Sequence, residues 1–154
     1  MNITFKNEHI IAELQSTAAV EAIDELVGRV ASAGTIPAEA KNAVALAVKK
    51  REQSMSTGIG LGIAIPHAAA SPIDEVVIAV GRSSSGVEFE SLDSQPVRFV
   101  VLILIPASER EKHLPTLARV SRLLRRREIR AALETAVDVG AIANILNEKS
   151  LVPA

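Results

Sequence analysis

The run from Phe99 to Pro106, reading FVVLILIP, constrains this chain more than any other stretch. A half-exposed strand alternates apolar and polar side chains. This run has no polar position, so it predicts a strand buried on both faces, which requires a sheet covered by helices on each side. It is too short to span a bilayer, which takes roughly 20 residues. A second, shorter run of the same kind occupies Val76 to Val80.

The flanking segments supply the helices. Ile10, Ala12 and Leu14 alternate in strand fashion, and Ser16 or Thr17 is placed to cap a helix carrying Val20, Ile23, Val27 and Val30. Gly34 is placed to end it. Pro37 suits a first helical turn, and Ala40, Val44, Ala47 and Val48 share one face of a helix predicted to about Lys50. The Ser- and Gly-rich segment from Ser83 to Pro96 reads as loop with a short strand near Val87 to Phe89. Beyond Pro106 a helix is predicted from about Glu111, with Leu114, Leu117, Ser121 and Leu124 along it and Arg125 to Arg127 in its last turn, where cations complement the helix dipole. Ile129 to Ala136 reads as another helical piece, and Asp138 as the cap of a last helix with Ile142, Ile145 and Leu146. No internal repeat or linker is visible, so the reading is one α/β domain.

Composition narrows the function classes. The 154 residues are 48% hydrophobic and 23% charged, in the globular range. The net charge of -1 gives no support to nucleic-acid or anionic-membrane binding. There is no cysteine, which excludes disulfides and thiolate metal sites. Three Phe and no Trp or Tyr argue against base-stacking platforms and aromatic sugar-binding walls. No N-terminal run has the pattern of a secretory signal.

The chemistry concentrates in Arg51 to His67, reading REQSMSTGIGLGIAIPH. Gly58, Gly60 and Gly62 are spaced G-x-G-x-G, with Ile63 where a dinucleotide fingerprint needs its third glycine. A helix rather than a strand precedes them. No Gly-Lys-Ser/Thr follows, so this is not a P-loop. A tight turn and a cradle of backbone N–H groups for an anion both stay open. Pro66 fixes the backbone just before His67, so that histidine is stationed at a rigid point and suits a positioned nucleophile, although a structural histidine has the same appearance. His113 follows the strongest strand. Sites in open α/β sheets gather at the carboxyl ends of strands, so His67 and His113 are candidates to meet there. A metal site would need a third ligand, and His9 has no helical or strand spacing to either. Arg119, Arg122, Arg126 and Arg130 form a basic stripe, either a solvated face or a docking surface for an acidic partner.

Arg51-Glu52, Ser56-Thr57-Gly58-Ile59-Gly60 and Gly62-Ile63-Ala64-Ile65-Pro66-His67 together resemble the signature of enzyme IIA domains of the bacterial phosphotransferase system. The class is the fructose/mannitol one, which includes the nitrogen-regulatory enzyme IIA. Asp93-Ser94-Gln95-Pro96-Val97, Ile105-Pro106, His113-Leu114 and Leu117-Ala118 continue the match. The resemblance implies a single domain over residues 1–154, with its core at about 10–148. Its fold would be a mixed sheet of about five strands flanked by helices on both sides. It further implies a cytoplasmic phosphocarrier with no cofactor, no metal, no nucleic-acid partner and no membrane insertion.

In such proteins the histidine matching His67 accepts a phosphoryl group from the phosphohistidine of the carrier HPr. It then passes the group to an enzyme IIB or holds it as a mark read by a regulatory target. His113 matches the second active-site histidine and Arg51 the arginine near the phosphoryl group. A neutral imidazole is a competent nucleophile near pH 7, and phosphoryl transfer asks mainly for alignment and charge stabilisation. His113 and Arg51 suit that task as donors, and Thr57 and the N–H groups around Gly58 would supply the rest. Transfer through Nε2 of His67 is the expectation from the resemblance; the sequence itself does not set the tautomer. Ala18-Ala19 and the bland stretch Ala68 to Pro72 depart from the pattern at positions that bear on partner choice. Three functions remain: a sugar-permease relay, a nitrogen-type regulator, toward which the free-standing length leans, and a binding module that kept the fold without the transfer.

Overall fold

The computed structural model describes residues 3–71, 73–90 and 93–150. Pro72, from the Ala68–Pro72 stretch, and residues 91–92 of the expected loop lie outside the described residues. The centre is strand β6 (Val97–Pro106), as its unbroken apolar run requires. β5 (Val77–Val87) pairs with it antiparallel, and β1 (Ile10–Ile11) pairs parallel with β5. On the other edge of β6 lie β3 (Ile63–Ala64) and β4 (His67–Ala70), both parallel to it. β2 (Gly58–Gly60) closes the sheet antiparallel to β3. The sheet is mixed and six-stranded, one more strand than expected, because Ile65 and Pro66 interrupt one edge into β3 and β4.

Both faces of β6 are covered. Val100, Leu102 and Leu104 pack against α1 (Ala19–Ser32) and α2 (Lys41–Ser54). Phe99, Val101, Ile103 and Ile105 pack against α3 (His113–Arg125), α4 (Arg127–Thr135) and α5 (Val139–Ser150). Burying side chains of this size contributes about 1.5–3 kcal/mol each, so β6 holds both layers together. Among the described residues no helix is long and apolar enough to cross a membrane.

Gly34 ends α1 as expected, at φ +79°, with the Thr35 N–H donating to Val30 O at 3.2 Å. Asp138 caps α5 through the Ala141 N–H at 2.8 Å. The start of α1 departs from expectation. The Ser16 hydroxyl and N–H and the Gln15 N–H all donate to Glu25. The Glu88 N–H donates to Thr17 O and the Ala19 N–H to Glu88 O, so Ala18 forms a parallel bridge with Glu88 and the helix begins only at Ala19, without a side-chain cap.

α2 also runs to Ser54 rather than about Lys50. The expected loop after Ser83 is largely a continuation of β5, irregular between Arg82 and Val87, where Gly86 sits at φ +92° and donates its N–H to Ser83 Oγ at 2.9 Å. The basic stripe is partly structural. Arg130 Nη1 donates to Leu124 O and Arg125 O at 3.0 and 2.6 Å and so caps α3, while Arg126 pairs with Glu128 at 2.9 Å.

Candidate functional site

His67 is the first residue of β4, held in place by its neighbours on both sides. Ile103 N–H donates to Pro66 O at 3.0 Å, which fixes the residue before it to β6. The register His67↔Ile103↔Ile78 sets it on the face of the sheet that α3 to α5 cover. Its ring is 4% exposed. Nδ1 lies 2.8 Å from Ile65 O. A carbonyl oxygen only accepts, so Nδ1 carries the proton and Nε2 of the neutral ring carries the lone pair. The structure thus supplies the tautomer that sequence could not.

Nε2 is buried and has no hydrogen-bond partner among the described residues. Buried polar atoms in native proteins are nearly always bonded, so an orphan is a feature to be explained. Burial is the main cause that pushes the His67 pKa down. The nearby charge of Arg51 and the His113 ring push the same way, against the Ile65 carbonyl and Glu52, which raise it. The balance favours the neutral ring.

His113 opens α3, which follows a 3-10 segment (Ala107–Lys112) directly after β6. Its ring meets His67 edge-on, with centroids 4.9 Å apart and planes at 74°. The two histidines, 46 positions apart in sequence, are brought together as expected. Arg51 lies in the last turn of α2 and donates from Nη1 to Met55 O at 2.8 Å. A guanidinium has five N–H donors, and this bond uses one of them.

Thr57, expected as a phosphate donor, is committed elsewhere. Its hydroxyl donates to Glu52 Oε1 at 2.5 Å and its N–H to Glu52 Oε2 at 2.9 Å. Gly58 is buried in β2, its N–H 3.2 Å from Ser56 Oγ. Gly60 and Gly62 answer the turn-or-cradle question for themselves. They sit at φ +84° and +76° with Leu61 at +61°, a β2–β3 turn held by the Leu61 N–H on Asp93 Oδ2 at 3.0 Å. Glu52 was missed as a site residue. A glutamate five residues before a threonine is too common a pattern to carry a signal alone.

Leu114, next to His113, is 76% exposed, and Met55, whose carbonyl holds Arg51, is 69% exposed. Exposed apolar side chains near the buried His67 and its edge-on His113 neighbour suit a surface that another protein covers. His9 takes no part in the pairing of His67 and His113; its Nε2 is 2.6 Å from Thr35 Oγ1.

Residues 3–149 match the family described as the phosphoenolpyruvate-dependent sugar phosphotransferase system, EIIA 2. The chain belongs to that family. Its members are phosphoryl-transfer components of the phosphoenolpyruvate-dependent sugar phosphotransferase system. The fructose-specific EIIABC component of Bacillus subtilis (strain 168) is 41% identical over 135 residues, which are 88% of this chain and 21% of that protein. This EIIA chain therefore spans about a fifth of that relative's length. The nitrogen regulatory protein of Bradyrhizobium diazoefficiens is 33% identical over 139 residues, 90% of this chain and 89% of that one. The fold is that of nitrogen regulatory protein IIA-Ntr from Neisseria meningitidis, with a TM-score of 0.82 at 23% identity over 92% of this chain and 95% of that one.

Proposed function

We propose that this chain accepts a phosphoryl group on Nε2 of His67 from the phosphohistidine of HPr, then passes it to an enzyme IIB or holds it as a regulatory mark. The observation that carries this reading is the buried, unpartnered Nε2 of a ring whose Nδ1–H is fixed on the Ile65 carbonyl. In the transfer, the Nε2 lone pair forms the new N–P bond while the donor's N–P bond breaks and its electron pair returns to the donor imidazole. The Nδ1 proton stays in place, and the Ile65 carbonyl offsets the positive charge that grows on the ring. Arg51 and His113 donate to the phosphoryl oxygens.

The test is incubation of the full chain with phosphoenolpyruvate, enzyme I and HPr. One acid-labile, base-stable phosphate is expected, and it is absent from a His67→Ala variant. No label on the wild-type chain, or equal label on the variant, overturns the proposal and leaves the non-transferring binding module in its place. Sugar relay and nitrogen-type regulation both have support, from the fructose-specific and nitrogen-regulatory relatives respectively. A regulator has partners whose binding responds to charge at His67, because a phosphoryl group adds about -1.5 to -2. Pull-downs with His67→Asp against His67→Ala separate the two.

A further inference from the structure

Behind His67 runs an unbroken series of hydrogen bonds that ends on a carboxylate. Glu52, half-buried in the last turn of α2, holds Thr57 with both of its oxygens, one on the hydroxyl at 2.5 Å and one on the N–H at 2.9 Å. The Thr57 carbonyl accepts the Ile65 N–H at 3.1 Å. The Ile65 carbonyl accepts the His67 Nδ1–H at 2.8 Å. Among the described residues, the one hydrogen bond on the His67 ring is thus to a backbone carbonyl whose residue is itself hung from Thr57, and Thr57 is 7% exposed and clamped from α2. We propose that Glu52 is a positioning residue for phosphoryl transfer, acting through Thr57 and Ile65 to hold the His67 ring with Nε2 toward the incoming phosphoryl group.

The arrangement has a physical logic. The segment from Met55 to Thr57 joins a helix to a strand, and it runs from an exposed residue, Met55 at 69%, to the buried Thr57. A two-point carboxylate clamp on a threonine is stiffer than one bond, since ionised acceptors bind N–H and O–H donors about twice as strongly as neutral ones. That stiffness passes to Ile65 and then to the ring. In-line transfer between two histidines depends on alignment, and a misplacement of about 1 Å costs on the order of 100-fold in rate. Glu52 never touches the phosphoryl group in this scheme. It acts by keeping its acceptor aimed.

The inference rests on His67 being the phosphoryl acceptor, so the test needs a readout that does not require transfer. In the full chain, ¹⁵N–¹H correlation spectra of the imidazole report directly which ring nitrogen carries the proton. The variants are Glu52→Gln, which keeps the size and one acceptor, Thr57→Val, which loses the hydroxyl but keeps the backbone, and Thr57→Ser as the conservative rescue. Circular dichroism melts establish that each is folded. For Glu52→Gln and Thr57→Val the Nδ1–H pattern of His67 is expected to weaken toward a mixture of tautomers. Acceptance from phospho-HPr should fall about 10-fold, while Thr57→Ser stays within about two-fold of wild type. A wild-type ring pattern in both Glu52→Gln and Thr57→Val, even with a lower melting temperature, would leave Glu52 a loop clamp only and overturn the inference. If the wild-type chain takes no phosphate at all, the transfer reading fails. The ring spectra still decide whether Glu52 sets the orientation of His67.

Discussion

His67 and His9 are both buried imidazoles, 4% and 3% exposed, and burial pushes both pKa values down. Their partners differ. His9 Nε2 lies 2.6 Å from the Thr35 hydroxyl. His67 has one nitrogen on a carbonyl and the other on nothing among the described residues, with a second histidine edge-on beside it. Burial alone therefore does not mark a functional histidine. His9, in the turn before β1, is tied to Thr35 just beyond the end of α1. His67 leaves unbonded, among the described residues, the atom that the proposed transfer would use.

The largest effect that tests this contrast is kinetic. His113→Ala should still take phosphate on His67 but transfer it about 100-fold more slowly, the usual cost of losing one donor aimed at developing charge. His9→Ala should leave that rate within about two-fold when measured per folded molecule. Single-turnover transfer from phospho-HPr measures both. Equal losses in the two variants would erase the distinction.

Stability should rank the two residues in the opposite order. His9→Ala strands the Thr35 hydroxyl and removes a buried ring, and it should cost about 2–3 kcal/mol in urea unfolding. His67→Ala loses one bond to a carbonyl but also removes an unsatisfied buried nitrogen, so a change within about 1 kcal/mol is expected. Thr35→Val makes His9 resemble His67 by baring its Nε2. It should cost about 1 kcal/mol and gain no phosphate, because the Arg51 and His113 pair stands at His67. Label appearing on His9 in that variant would show that an orphan nitrogen is enough.

The sequence reveals different parts of this molecule to different degrees, for reasons that can be named. β6 was legible because eight apolar residues in a row admit one environment. Gly34 and Asp138 were legible because helix ends have local chemistry. β5 beyond Arg82 was not. Its Ser83-Ser84-Ser85-Gly86 segment carries no apolar pattern and is strand only because β6 lies beside it. The start of α1 was misplaced because the contest between a Ser16 cap and Glu25 or Glu88 is tertiary.

At the site, the two histidines and Arg51 could be named from the motif. Thr57's commitment to Glu52 could not, since nothing local distinguishes a threonine that faces an anion from one clamped by a carboxylate. Arg82 is a similar case. Its guanidinium donates to Ala12 O at 3.0 Å, Leu133 O at 2.8 Å and Ala136 O at 2.7 Å, partners up to 70 residues apart from it.

The smallest expected effect is a slope in stability against pH, and it compares the two histidines on one scale. Burial leads for both. Lys6 lowers the pKa of His9 further, while Glu8 and the Ile78 backbone raise it. Arg51 and His113 lower that of His67 further, while Ile65 and Glu52 raise it. With both folded pKa values below the unfolded value of about 6.5, the unfolded chain binds more protons on acidification. Stability is then full above about pH 6.5 and is lost as pH falls toward the folded pKa values. Urea midpoints between pH 5 and 8 should decline on the acid side, and either single alanine variant should flatten part of that decline. If His9→Ala flattened it and His67→Ala did not, the cost of charging His67 would have to be met by its surroundings. The orphan nitrogen would then be a proton site in the folded protein, and its role as a standing nucleophile at neutral pH would narrow to the upper end of that range.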